Sequence, residues 1–409
     1  MPCKLPEPTL GPAAREVSVR GGSIVLGRVL AAAALAATGV LAFGPSAQAS
    51  VAGLAQRTAS FDDRVEAIAI RGTTVYVGGR FTHATDLSGH QVARNHLAAV
   101  DVTSGDLLPW NPGANRTVYA LAVSGSAVYA GGDFSTVGGA TRNRLAALDA
   151  GGGAVLAWSH RADDRVRALA VSATRLYAGG EFGSVDGAAR NRLAAFSLAG
   201  GNLDGGWTPG ADDTVFAISV APAGERVYVG GMFPALNGSA THGYFGAVDP
   251  ASGASDAAFR GRIRYKVSDV AATADAVYAA GDGSGGHLVA FRPDGTLRFP
   301  TVQTDGGAQA VAVLGGEVYV GGHYDNVCLT GNGTSGTGGG FSCTGAQVTR
   351  HKLFSVDAAT GAVTDWNPGA DSPLGVFALA ADPGLGTLDA GGDFTRVHQR
   401  SQPHFAQFG

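Results

Sequence analysis

Apolar residues fall along this chain in short runs separated by Gly, Ser, Asn and Asp, and one run keeps returning. Val75-Tyr76-Val77-Gly78-Gly79-Arg80-Phe81 has counterparts beginning at Val128, Leu176, Val227, Val277, Val318 and Leu388. The starting points lie 53, 48, 51, 50, 41 and 70 residues apart. A period of roughly 40 to 50 residues is that of a four-stranded propeller blade.

The second unit shows how each is written. Val118 to Val123 is apolar throughout, Ser124-Gly125-Ser126 turns the chain, and Val128 to Phe134 returns as its partner strand. After a polar loop, Arg142-Asn143-Arg144 leads into Leu145 to Asp149, and Gly151 to Gly153 turns into Ala154 to Trp158. These four runs are named A to D below. Runs A and C carry apolar residues on both faces, which a sheet tolerates only when both faces are covered, as in stacked blades. Trp110, Trp158, Trp207 and Trp366, with Phe259 and Phe299 in two units, stand as wedges in run D.

The last unit supplies run C as Phe405 to Phe408 and has no run D, whereas Val51 to Ala59 stands free before the first A run. Pairing those ends removes the open sheet edges. The expected fold is therefore all-β: a seven-bladed β-propeller of four-stranded antiparallel blades, closed by the N-terminal strand of the mature chain.

Composition adds an address. Arg20 and Arg28 precede the apolar run Val29 to Phe43, and Ala47-Gln48-Ala49 offers the small residues of a cleavage site, so residues 1–49 read as a signal peptide and 50–409 as the propeller. The run is short of the roughly 20 residues that span a bilayer, so the expected product is secreted, with no stable membrane span after cleavage. Without residues 1–49 the count is 25 basic (29 less 4) against 31 acidic (33 less 2). With no basic stripe, nucleic acid is excluded as a partner, and a monomer is expected. The 64 glycines recur beside Val, Tyr and Phe, unlike those of a disordered segment. Cys328 and Cys343 lie in a non-repeated insertion, 327–349, in unit six, and in an exported chain read as a disulfide. Two thiols with no nearby His do not complete a metal shell.

With the repeats in view, the chain resembles the delta-60 propeller repeat of secreted actinobacterial proteins, a family of unassigned function similar to fungal cell-surface polarity landmarks. The likeness rests on the Val-Tyr-Ala-Gly-Gly-Asp-Phe phrase, on Arg142 to Asp149 and on Trp110-Asn111-Pro112-Gly113-Ala114. It implies a propeller outside the membrane and carries over no catalytic residue. Leu353 to Trp366 also resembles the blade-docking segment of quinoprotein propellers, without their adjacent cysteines or an eighth repeat.

A site is expected where the B-to-C loops and D-to-A connections meet around the channel mouth, because a rigid scaffold presents its loops for binding. The residue after the glycine pair varies as Arg80, Asp133, Glu181, Met232, Asp282, His323 and Asp393. These form either a ligand-binding rim or ordinary strand ends beside turns. His323 and Tyr324 stand at the base of the insertion, itself either a contact or a tolerated loop. Asp62, Asn115, Asp163, Asp212 and Asp371 precede A runs, where they either serve turn chemistry or hold a divalent cation. Arg94, Arg142, Arg190 and Arg350 precede C runs and are expected to pair with carboxylates. No Gly-x-Ser-x-Gly elbow, zinc helix or phosphate loop occurs. No cofactor is predicted. The reading is a non-catalytic binding or scaffold module for a cell-envelope protein or glycan. The alternative is an extracellular enzyme, a carbohydrate-active lyase or hydrolase or a quinone-dependent oxidoreductase.

Overall fold

The computed structural model describes Met1 and residues 51–330, 333–335 and 341–409, and the expected signal peptide lies outside the described residues. Runs A, B and C of each repeat form an antiparallel meander with B in the middle, as in Val65–Arg71, Thr74–Gly79 and Leu97–Asp101. Seven such meanders occur among the described residues: six stand as three-stranded sheets, and the fifth belongs to a six-stranded sheet.

The two glycines of the repeated phrase have separate physical reasons. In every A strand the register slips near the start, as between Val65 and Ala67. A Cβ on Gly79 would strike the Arg64 carbonyl oxygen at that bulge. The first glycine faces the next repeat. A Cβ on Gly78 would lie 2.7 Å from Val118 Cγ1, and the series continues as Gly131 on Val166, Gly179 on Val215, Gly230 on Val267, Gly321 on Val376 and Gly391 on Val65. That last contact sets the seventh meander against the first. Between the fifth and sixth, Ala280 replaces the glycine and Ala308 the valine, and both lie in one core cluster. The interface thus keeps its volume by exchanging a small–large pair for two intermediate residues.

The expected fourth strand is reduced to an outer segment that touches C through an isolated bridge, such as Val100↔Leu107 or Leu148↔Val155. Leu108 N–H donates to the Ala99 carbonyl, Leu156 to Ala147 and Asp204 to Ala195, each at 2.8 Å. Regular pairing stops there because an arginine takes the next carbonyl. Arg94, Arg142, Arg190 and Arg350 each donate from Nη2 to the carbonyl of Leu108, Leu156, Asp204 and Thr364, at 2.8 to 3.0 Å. The expected arginine–carboxylate pairing is thus corrected: the planar guanidinium latches backbone to backbone.

In the seventh repeat the equivalent hydrogen bond comes from the other end of the chain. Gln56 N–H donates to the Gln407 carbonyl at 2.7 Å. Gln402 stands where four of the other repeats have arginine, and its amide donates to Thr58 Oγ1 at 2.6 Å. Val51 and Ala55 share a core cluster with Trp366 and Phe408.

The fifth repeat lacks the B-to-C rim hairpin, joining Val277–Gly283 directly to Gly285–Phe291. Val302–Thr304 fills the gap, pairing with Gly285–Phe291 and with Asn326–Cys328 at the base of the insertion. Cys328 and Cys343 form a disulfide, with Cα atoms 5.3 Å apart.

Candidate functional site

The bulge at the start of each A strand decides where chemistry can gather. A bulge leaves one residue out of the ladder and re-aims its side chain. Here the displaced residues are Glu66, Tyr119, Arg167, Phe216, Ser268, Gln309 and Phe377, and all seven line one axial cavity of about 400 Å³. Arg64, Arg80, Lys266 and Asp269 also reach it. The opposite ends of strands in repeats five to seven, with Ser219 and Pro222, line a second cavity that is mostly apolar, including Val270, Val311, Val313 and Leu379. Of these two cavities, the one where the A strands begin carries the charged side chains.

Within that mouth, cations of one repeat cover aromatic rings of the preceding one. Arg64 lies 5.2 Å from the Phe377 ring centre, Arg167 4.2 Å from Tyr119 and Lys266 5.3 Å from Phe216. Such contacts contribute about 0.5 to 2 kcal/mol each, more when desolvated. Glu66 Oε1 is 3.4 Å from Arg64 Nε and 3.5 Å from Arg80 Nε. Burial raises the Glu66 pKa, opposed by the charges of Arg64, Arg80 and Arg167. Asp269 stands where the other A strands carry Ala67, Ala120, Ala168, Ala217, Ala310 and Ala378. It is packed into the wall with part of its surface open to the channel, and burial pushes it up to about 6. Its two oxygens accept from Val270 N–H at 2.8 Å and Val311 N–H at 2.9 Å, stapling repeat five to repeat six.

The rim residues singled out by sequence do not form one constellation. Arg80 lines the cavity. Glu181 accepts from Arg165 Nη1 at 3.0 Å and Arg167 Nε at 2.7 Å, and Asp133 lies 4.0 Å from Arg165 Nε. Met232 is exposed and Asp393 half-buried. His323 Nε2 accepts from Gly307 N–H at 3.2 Å. Gly307 is bare where a Cβ would sit 2.6 Å from His323 Cε1 and 2.9 Å from Asp282 Cγ, so these side chains share one space. Burial lowers the His323 pKa against the pull of Asp282. Tyr324 is corrected from rim to core: it is 1% exposed, donates to the Val320 carbonyl at 2.7 Å and packs on Phe354. It occupies the place of Phe81, Phe134 and Phe182, which are also buried.

The Asp and Asn ring is occupied by backbone. Asp62 Oδ1 accepts from Thr82 and His83 N–H, Asn115 from Ser135 and Thr136, Asp163 from Gly183 and Ser184, and Asp371 from Thr395 and Arg396, at 2.8 to 3.0 Å. Asp212 accepts from Ala235 N–H in the same way. Each clamps the rim hairpin of its own repeat, which is turn chemistry.

The channel-lining set went unnoticed in the sequence because it sits inside runs that look apolar. Its signal is a single A-strand position that reads Glu, Tyr, Arg, Phe, Ser, Gln, Phe while its neighbours keep Val and Ala.

This architecture is a β-propeller with a polar axial mouth. Among solved structures the chain is similar to the WD40 beta propeller domain of Doa1, at 8% identity and a TM-score of 0.54, covering 87% of this chain and 97% of that one. The computationally designed Ika8 protein matches at 16% identity and a TM-score of 0.48, over 85% of this chain and 98% of that one. No family model and no curated protein matches the chain.

Proposed function

We propose that this chain is a secreted seven-bladed propeller of the delta-60 repeat type. Each blade is completed by its outer segment, the last by residues 51–59, and the ring serves as a non-catalytic binding module for a cell-envelope protein or glycan. One observation carries the reading: seven A strands deliver largely different side chains into one cavity, whereas the repeated Gly, Asp and Arg positions are committed to backbone. Variation at a fixed position is how a rigid scaffold diversifies a binding surface.

A second reading, an extracellular enzyme, draws support from the fifth and sixth repeats. Tyr265 and His287 stack there with ring centres 4.2 Å apart, and the Asp282 charge acts on both His287 and His323. Burial lowers the pKa of both imidazoles, opposed by the Asp282 charge. The deciding experiment is a thermal-shift screen of residues 50–409 against envelope glycans, divalent cations and quinones. Stabilisation by a glycan that survives unaltered and is lost on Arg80→Gln supports the module. Turnover of a glycan or quinone that ends with His323→Ala would replace it with the enzyme.

A further inference from the structure

Resting on the reading of the axial mouth as the binding site, we infer that its ligand is an acidic sugar, a carboxylate carried on a ring of hydroxyls. Charge is the first argument. Arg64, Arg80, Arg167 and Lys266 face Glu66 and Asp269 in the cavity lining, and with Arg167 taken up by Glu181 at 2.7 Å a surplus of one cation remains. Glu66 is already shared among the arginines, while Lys266 enters none of the ion pairs of the described residues and its ammonium lies 5.3 Å from the Phe216 ring centre. A partly desolvated ammonium without a carboxylate is an open place for an anion.

Hydrogen bonding then narrows the class. Ser268 Oγ and Gln309 Oε1 are buried at the cavity wall with no protein partner. The Gln309 oxygen can only accept, so it requires a donor from the ligand. A bare carboxylate has no donor to give. Hydroxyl groups next to the carboxylate would supply Gln309 and Ser268 together, leaving no buried acceptor unmet. Tyr119, Phe216 and Phe377 add apolar surface on three strands, which suits the C–H face of a pyranose. A cavity of about 400 Å³ is in the range of small-molecule sites, so one or two sugar units fit and a polymer would enter by its end.

The test is calorimetric titration of residues 50–409 with glucuronate, a galacturonate trisaccharide, the neutral trisaccharide and a Glu-rich peptide. Binding of either uronate, weakened at least tenfold in Lys266→Met and in Arg80→Gln, is the expected result. Glucuronate alone binding would mark a free-acid site, and the trisaccharide alone a polymer end. Lys266→Met keeps the stem over Phe216, and Arg80 is exposed, so both variants should unfold with the wild type. Equal binding of the neutral sugar, or binding of the peptide alone, would overturn the acidic-sugar class while leaving the mouth as the site. Uronate binding untouched by both substitutions would overturn the mouth itself, and no binding by any uronate would overturn the inference.

Discussion

The seam between the first and second repeats and the seam that closes the ring are built at the same positions from different chemistry. At the first, Tyr76 crosses to donate its hydroxyl to the Ala150 carbonyl at 2.7 Å, packed among Trp110, Leu121 and Leu148. At the closing seam the tyrosine position is Asp389, and the facing C-strand position, Ala99 in the first repeat, is Gln407. Thr387 Oγ1, both Asp389 oxygens and both Gln407 amide atoms are buried there, with the Gln407 amide facing the Asp389 carboxyl across the strands as the nearest polar group. Interior seams join repeats that the chain connects directly. The closing seam brings the two ends of the described propeller together, and it carries the cost of buried polar groups. Its cohesion rests on what residues 51–59 add.

Removing those residues should break the comparison outright. Without Gln56 and Thr58, the Gln407 carbonyl loses its partner and the Gln402 amide keeps only the Phe405 carbonyl, and Phe408 and Trp366 lose the cover of Val51 and Ala55. Truncation to residue 60 is expected to lower the melting temperature by roughly 5 to 10 °C, following about 2 to 4 °C per kcal/mol for a large domain. Calorimetry of the two lengths decides it, and an unchanged midpoint would show the seam to be self-sufficient.

Acidity should tune the same seam. Burial, with a smaller push from Asp382, raises Asp389 to about 7, against about 3.9 in an unfolded chain. The folded state therefore keeps a proton that the unfolded state gives up. The corresponding stability is full below about pH 4 and is lost as pH rises towards 7. About three units correspond to roughly 4 kcal/mol. Asp269, raised to about 6, acts in the same direction over a narrower window. In Asp389→Asn, the loss of stability with rising pH should shrink and end near pH 6, as read by urea unfolding from pH 4 to 8. A profile unchanged from wild type would remove Asp389 from the account.

How much of this was legible beforehand depended on whether a residue was repeated. The glycine pairs, the tryptophans and the arginine before four of the C strands announce themselves by recurrence, so the meanders and their order could be read directly. The role of Arg94 could not, because a guanidinium suits a carboxylate and a pair of carbonyls equally well, and only the outer segment's path decides between them. Tyr324 misled because a tyrosine beside a variable His resembles a rim residue, although its place in the phrase is that of Phe81. The channel position was hidden by the bulge. Alternation along an A strand assigns Glu66 to one face of a regular sheet, and a one-residue slip sends it to the axis.

The smallest effect should come from the glycine that closes the ring, and it gives the sharpest comparison. Gly391 faces Val65 as Gly78 faces Val118, with a Cβ expected 2.5 Å from Val65 Cγ1. Gly391→Ala alone overpacks the closing seam, which costs about 1 to 3 kcal/mol. The fifth and sixth repeats already contain the compensated form, Ala280 with Ala308. Gly391→Ala combined with Val65→Ala should therefore recover stability relative to the sum of the single changes, with a coupling of about 1 kcal/mol or more in denaturant unfolding. The same cycle at Gly78 and Val118 tests whether the interior seam behaves alike. If the two couplings agree, glycine and valine at the closing seam pack as they do elsewhere, and its weakness belongs to Asp389 and Gln407. If the closing-seam coupling vanishes while the interior one persists, the two edges there are not held in register, and residues 51–59 fasten a looser joint.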